Sequence, residues 1–234
     1  MLVVGFPAGP FETNCWVVAP ERGEQCLVID PGVGAEDRLD EVLAEHKLAP
    51  VAVLLTHGHL DHIWAVTPVC GAKDIPALIH PADRHMLTDP TAGLGVPSGT
   101  PIFGRLDWAE PSDVRELADG ETVSLAGLDL QVDWAPGHTK GSVTFTAGRD
   151  FFSGDLLFAG SIGRTDMPGG SYAEILDSLA RIPLRLPDEM VVRPGHGPDT
   201  TIGRERRMNP FLVEIAAGQA ERAASSLPPV TRGL

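Results

Sequence analysis

Apolar residues along this chain recur in two registers, and the switching between them outlines the predicted elements. Asn14 to Ala19 and Cys26 to Ile29 are short β-rich runs bounded by Pro or Gly, which predicts two strands of a meander. Asp30-Pro31-Gly32 stops the second run. From Ala35 to Leu48 the period lengthens: Leu39, Val42, Leu43 and His46 share a helical face with charges opposite. His46 reads there as a helix-flank residue. Val51 to Leu55 is apolar throughout, as a central strand covered on both faces requires. Ile63 to Val69 then predicts a helix, Ala77 to Ile79 a strand and Ala82 to Leu87 a short helix, with His80 and His85 structural. Asp89 to Ser112 is rich in Pro and Gly and too long for an ordinary connection, so it is read as either a lid over a site, the preferred reading, or a lightly ordered excursion.

The second half repeats the plan. Glu121 to Leu125 and Leu128 to Trp134 predict a hairpin across Ala126-Gly127. Ser142 to Thr146 and Asp150 to Ser153 predict the next pair of strands, Tyr172 to Ile182 a helix, and Met190 to Arg193 a last buried strand. Arg204 to Ala217 is helical in character, with Asn209-Pro210 interrupting it. With no linker or low-complexity tract, residues 1–234 are read as a single domain, with 204–234 as a C-terminal helical extension.

Composition narrows the function classes. An apolar content of 43% with near-zero mean hydropathy suits a globular protein able to bury a sizeable core. The net charge of −14, with no basic stripe, would repel a phosphate backbone, so nucleic acid is not the expected partner. No run approaches the length of a membrane span. The segment Met1 to Pro7 has no cationic region and does not read as a signal peptide, which makes a cytoplasmic location the expectation. Cys15, Cys26 and Cys70 form no paired spacing and are read as buried small hydrophobes in a reducing compartment.

The chemistry concentrates in Thr56-His57-Gly58-His59-Leu60-Asp61-His62, directly after the apolar run at Val51 to Leu55. Further on stand Pro136-Gly137-His138, Ser153-Gly154-Asp155 and Pro194-Gly195-His196. Imidazole and carboxylate are ligands for Zn²⁺, Fe and Mn. No short helix aims His57, His59 and His62 at one point, because offsets of two and three face different ways. A loop past a strand end can, with Gly58 allowing a sharp turn. Each cluster follows a predicted strand, where a sandwich would gather loops along one edge.

The His57-to-His62 string, with His138, Asp155 and His196 in that order, resembles the metallo-β-lactamase superfamily over about residues 2 to 200. The resemblance implies an α+β fold, a four-layer αββα sandwich with two divalent metal ions at one edge of the paired sheets. It implies one metal on His57, His59 and His138 and a second on Asp61, His62 and His196, with Asp155 bridging. Thr56 and Asp30 would support the ligands from behind. Asp in place of Cys at position 155 is similar to glyoxalase II (hydroxyacylglutathione hydrolase). Gly160-Ser161-Ile162-Gly163-Arg164-Thr165-Asp166, Pro168-Gly169-Gly170 and the run from Gly195 to Gly203 with Asn209 to Leu212 look like the short bacterial type II glyoxalase group. Longer glyoxalase II enzymes carry a further C-terminal helical region with cations for the glutathione carboxylates, which this chain lacks, so its thiol carrier is left open.

The resemblance implies a metal-dependent thioester hydrolase acting on a small-molecule thioester or thiol carrier. Two dications, two carboxylates and one shared hydroxide sum to about +1, a local field that draws an anionic acyl compound. A bridging hydroxide would attack the polarised carbonyl. On this resemblance Asp61 and Asp155 are the expected catalytic carboxylates, Asp61 as ligand foremost and as a candidate proton carrier. Zn is the expected metal, with Fe or Mn as alternatives. Lys140, Arg164 and Tyr172 are candidate substrate contacts, Arg164 also being placed to pair with Asp166. Two other readings share these residues. One is a persulfide dioxygenase with one iron on His57, His138 and Asp155; the other is a metal-binding protein without turnover.

Overall fold

A strand with both faces covered needs apolar residues at every position, and β2 (Thr13–Ala19) is buried along its whole length. Its alternate side chains serve two cores: Cys15, Val17 and Ala19 face one, Trp16 and Val18 the other. The same division runs through β3 (Gln25–Ile29) and β4 (Ala49–Leu54). The computed structural model describes residues 1–105 and 107–225.

These strands belong to a six-stranded sheet in the order β1 to β6, completed by β1 (Leu2–Ala8), β5 (Ala77–Ile79) and β6 (Val114–Glu116). β1, β2 and β3 pair antiparallel, and β3 to β6 parallel. A second six-stranded sheet is built from β7 (Thr122–Leu125), β8 (Leu128–Trp134), β9 (Val143–Ala147) and β10 (Asp150–Gly154), with β13 (Val191–Pro194) and β14 (Thr200–Thr201). Its order is β14-β13-β10-β9-β8-β7, and β10 and β13 run parallel. Between them in the chain, β11 (Leu157–Phe158) and β12 (Ser161–Ile162) form a small hairpin.

Trp16, Leu27, Ile29 and Leu54 of the first sheet pack on Leu130, Val132, Phe145 and Phe152 of the second. Outside the first sheet lie α1 (Glu36–His46) and α3 (Val66–Lys73), presenting Leu39, Val42, Val66 and Val69. Outside the second lie α5 (Tyr172–Arg181), α6 (Ile202–Met208) and α7 (Pro210–Ser225), with Ile175, Leu179, Ile202 and Leu212 against Phe151 and Val192. This is the αββα arrangement expected from the sequence. Of the expected C-terminal extension, residues 204–225 are helical apart from the break at Asn209, and 226–234 lie outside the described residues. Among the described residues no helix is long and apolar enough to cross a membrane.

Several elements differ from the pattern reading. β1 is not among the predicted strands; it carries Gly5 and Pro7, which are tolerated because β1 lies at the edge of the sheet. The helix expected over Ile63 to Val69 is two pieces, α2 (Leu60–Ile63) and α3. Pro68 has no N–H to give the Trp64 carbonyl and its ring blocks that position, so the turn is broken there. Arg105 donates to the freed carbonyl instead (3.4 Å). Ala82 to Leu87 forms only a 3₁₀ turn at Arg84–Leu87. The long segment from Asp89 contains a four-residue helix, α4 (Thr91–Leu94).

The three cysteines are buried free thiols, as expected. Burial pushes Cys26 and Cys70 up to about 12, and Cys15 well above its ordinary value.

Two loops of the first and second sheets are clasped by one carboxylate, Asp83, which is 1% exposed. It accepts from the Gly58 N–H (2.9 Å) on one side, and from the Thr139 hydroxyl (2.6 Å) and Gly141 N–H (2.8 Å) on the other. Gly58 is not in the left-handed region; its role is close approach, since a Cβ there would come within 2.6 Å of Met86 and 3.0 Å of the Asp83 carbonyl. The expected sharp turn is therefore replaced by a packing reason. Asp83→Ala would strand the buried Gly58 and Gly141 N–H groups, the Thr139 hydroxyl keeping Ser142 as a partner (2.7 Å), and a loss of about 2 kcal/mol or more is expected in urea unfolding. Asp83→Asn, which keeps an acceptor, should lose distinctly less.

Candidate metal centre

All seven predicted donors meet where strands of the two sheets end. His57, His59, Asp61 and His62 follow β4, His138 follows β8, Asp155 follows β10 and His196 follows β13. The two sheets are joined at this edge: the Asn14 N–H donates to the Gly195 carbonyl (2.7 Å), and Thr13 bridges His196. Three triads, His57–His59–His138, His57–His62–Asp155 and Asp61–His62–His196, each offer donor atoms within 4.8 Å of one another. Gly195 leaves the needed room, because a Cβ there would meet Asp155 Oδ1 at 2.2 Å and His62 Cε1 at 2.8 Å.

The hydrogen bonds behind the rings fix which nitrogen faces inward. His138 Nδ1 donates to the Arg164 carbonyl (2.8 Å) and His196 Nδ1 to the Phe11 carbonyl (3.1 Å), since a carbonyl can only accept. His62 Nδ1 donates to Asp30 Oδ2 (2.9 Å). The Thr56 hydroxyl donates to Asp30 Oδ2 (2.5 Å), which leaves its lone pair for His57 Nδ1–H (3.1 Å). In all four rings Nε2 is thereby left as the inward donor atom. His59 turns the other way: its Nδ1 lies 2.8 Å from His138 Nε2. Such oriented imidazoles are what metal coordination requires.

Asp30 is the centre of this support. It sits at φ +50°, a left-handed conformation uncommon outside glycine, and accepts the Thr56 N–H as well (2.8 Å). Thr13 holds Asp61 through its hydroxyl (2.9 Å).

The electrostatics call for positive charge at this spot. Burial lowers His57 well below the ordinary imidazole value and brings His59 down to about 3, with the neighbouring histidines adding to the effect. At His62 burial also pulls downward, but Asp61, Asp155 and Asp30 outweigh it and raise the ring to about 10. At His196 burial is likewise overcome, by Asp61 and Asp155, and the pKa rises. Burial opposes ionisation of Asp61, yet His62 and His196 hold it well below the usual carboxylate range. His57 Nε2 and Asp155 Oδ1 are buried without a hydrogen-bond partner. Unpartnered lone pairs aimed into a cluster of carboxylates suit divalent cations, so this donor set fits metal ions.

A cleft of about 460 Å³ opens over the donors, lined by His59, Asp61, His138, Asp155 and His196 and by Arg164. Arg164 is bonded to Asp166 through two contacts (2.7 and 2.8 Å). Lys140 lies outside this lining, in a separate smaller cavity beside Asp83 and Pro168. Tyr172 begins α5 about half exposed and does not line the cleft. Sequence reasoning missed Asp83 and Thr13. Asp83 stands in an ordinary-looking helix start, and only the spatial approach of Gly58 and Gly141 marks it.

Residues 8–196 match the Metallo-beta-lactamase superfamily. The chain is 33% identical to the hydroxyacylglutathione hydrolase GloC of Haemophilus influenzae over 216 residues, 88% of this chain and 95% of the relative. It is also similar to BLEG-1 B3 metallo-beta-lactamase (38% identity, TM-score 0.81, 90% of this chain and 99% of that one). A third likeness is to TTHA1623 in a di-iron-bound form (40% identity, TM-score 0.75, 91% and 100%). With four-fifths of its length matched and the donors in place at the sheet edge, the chain belongs to the metallo-β-lactamase superfamily.

Proposed function

We propose that this protein is a thioester hydrolase of glyoxalase II type that uses two divalent ions. The observation that carries the reading is the inward-facing donor set at the floor of an open cleft, with its rings oriented by oxygen acceptors. His57, His59 and His138 would hold one ion, and Asp61, His62 and His196 the other. Asp155 would be shared, its Oδ2 lying 3.4 Å from His138 Nε2 and 3.7 Å from His196 Nε2. Zn²⁺ suits these ligands, and Fe or Mn are alternatives; the di-iron form of TTHA1623 supports iron as a candidate. When bound, such ions polarise a carbonyl and bring the ionisation of water close to neutrality.

The chain's own residues would do the rest. Among the described residues no Ser hydroxyl or Cys thiol is hydrogen-bonded to a site histidine, which favours direct hydrolysis over an acyl-enzyme route. Asp30 and Thr13 fix the orientation of His62 and Asp61, so the reacting groups need no rearrangement. Of the three candidate contacts Arg164 alone lines the cleft, with its guanidinium paired to Asp166; Lys140 and Tyr172 would have to act from outside it. Support for a thioester comes from the likeness to GloC and from aspartate at position 155.

Protein purified without added metal is expected to hold two equivalents of Zn, Fe or Mn by elemental analysis and to hydrolyse S-lactoylglutathione. Exhaustive chelation should abolish turnover and re-addition of metal restore it. Oxygen uptake on a persulfide, with one iron per chain, would instead favour an oxidoreductase. In a second experiment, His59→Ala and Asp155→Ala should each lower kcat/KM by about two orders of magnitude or more, with an unchanged far-ultraviolet circular dichroism spectrum. Normal activity in either variant would overturn the ligand assignment.

A further inference from the structure

The floor and the walls of the cleft have opposite chemistry. The floor is the donor cluster, while the walls are mostly apolar: Phe11, Leu94, Phe158, Ile162 and Met167, with Ser161 and Arg164 as the polar members. The cation on the wall, Arg164, is already answered by Asp166. Beside Phe11, and 6.0 Å from it between ring centroids, Phe103 stands two-thirds exposed and carries the apolar surface beyond the mouth. Leu94 is not there by chance of a loose loop. α4 is seated against the site, with Gly93 so near that a Cβ would come within 2.9 Å of the His59 ring, and Gly95 faces Pro168.

Exposed aromatic side chains gathered at a cleft mark a ligand surface. A carrier with several carboxylates would have to shed water from them against aliphatic and aromatic side chains, and among the described lining residues the one Lys or Arg, Arg164, is shared with Asp166. An apolar, uncharged group would gain from the same contact. The positive charge that bound ions would bring is confined to the floor, at the carbonyl.

Resting on the thioester-hydrolase reading above, we propose that the cleft selects thioesters whose thiol carrier is uncharged and whose groups flanking the C(=O)–S bond are apolar, in preference to thioesters of an anionic thiol such as glutathione. The reaction is unchanged: water adds its oxygen to the acyl carbon, the C–S bond breaks, and the sulfur leaves with a proton as free thiol.

The test uses the metal-loaded full chain and one acyl group, phenylacetyl, on two thiols: glutathione and uncharged N-acetylcysteamine. The expected result is a kcat/KM about tenfold or more higher for the N-acetylcysteamine thioester. Phe11→Ala and Leu94→Ala should shrink that ratio by raising KM for the uncharged substrate; Phe11 supports His196 only through its backbone carbonyl, which either side chain leaves in place. If a variant fails to fold, the ratio in the unaltered protein still decides. An equal or higher kcat/KM for the glutathione thioester overturns this inference and leaves the hydrolase reading standing. Hydrolysis of neither thioester overturns both.

Discussion

Five imidazoles and two carboxylates cannot be held within a few ångström of one another, largely out of water, unless positive charge is shared among them. Around His62 three carboxylates outweigh complete burial and raise the ring to about 10, so the cluster favours positive charge at this point. Everything around the site follows from meeting that demand in a fixed geometry. Asp30 orients His62 directly and His57 through Thr56, and it does so from a left-handed backbone conformation that aspartate tolerates better than most residues with a side chain.

The fold answers with two sheets whose strands end together. Parallel strands β3 and β4 deliver Asp30 and the histidine loop at the same edge, and β10 and β13 deliver Asp155 and His196 at the facing one. Cross-sheet contacts then lock the edges: Asn14 to Gly195, and Asp83 between the loops of Gly58 and Gly141. The dry core between the sheets, with Phe145 and Phe152 fully buried, gives this edge a rigid base.

Much of this was legible in the chain because the signals were local. The apolar run at Val51 to Leu55 gave a central strand, and the histidine string after it gave the donor loop. Ala126-Gly127 gave the hairpin. What stayed hidden depends on contacts distant in sequence. β1 carries breaker residues that only an edge position excuses, and β6 is three residues long beside its sheet partner β5, some 35 positions away. Asp83 looks like any helix-flanking acid until two glycines, 25 residues before it and 58 after, are seen to point their N–H groups at it. The Lys140 and Tyr172 expectations rested on sequence nearness to the site, and nearness along the chain does not decide which way a side chain leaves the backbone.

The buried cysteines bear on the chemistry in another way. On the proposed reading each turnover liberates a sulfhydryl compound at the sheet edge. Only a thiolate attacks a disulfide or is readily captured by one. Cys15, Cys26 and Cys70 are enclosed in the helix-facing core and kept protonated. On that reading the protein resists mixed-disulfide formation with the disulfide form of the released thiol, and its activity should be indifferent to oxidised low-molecular-weight thiols that would inactivate an enzyme with an accessible cysteine.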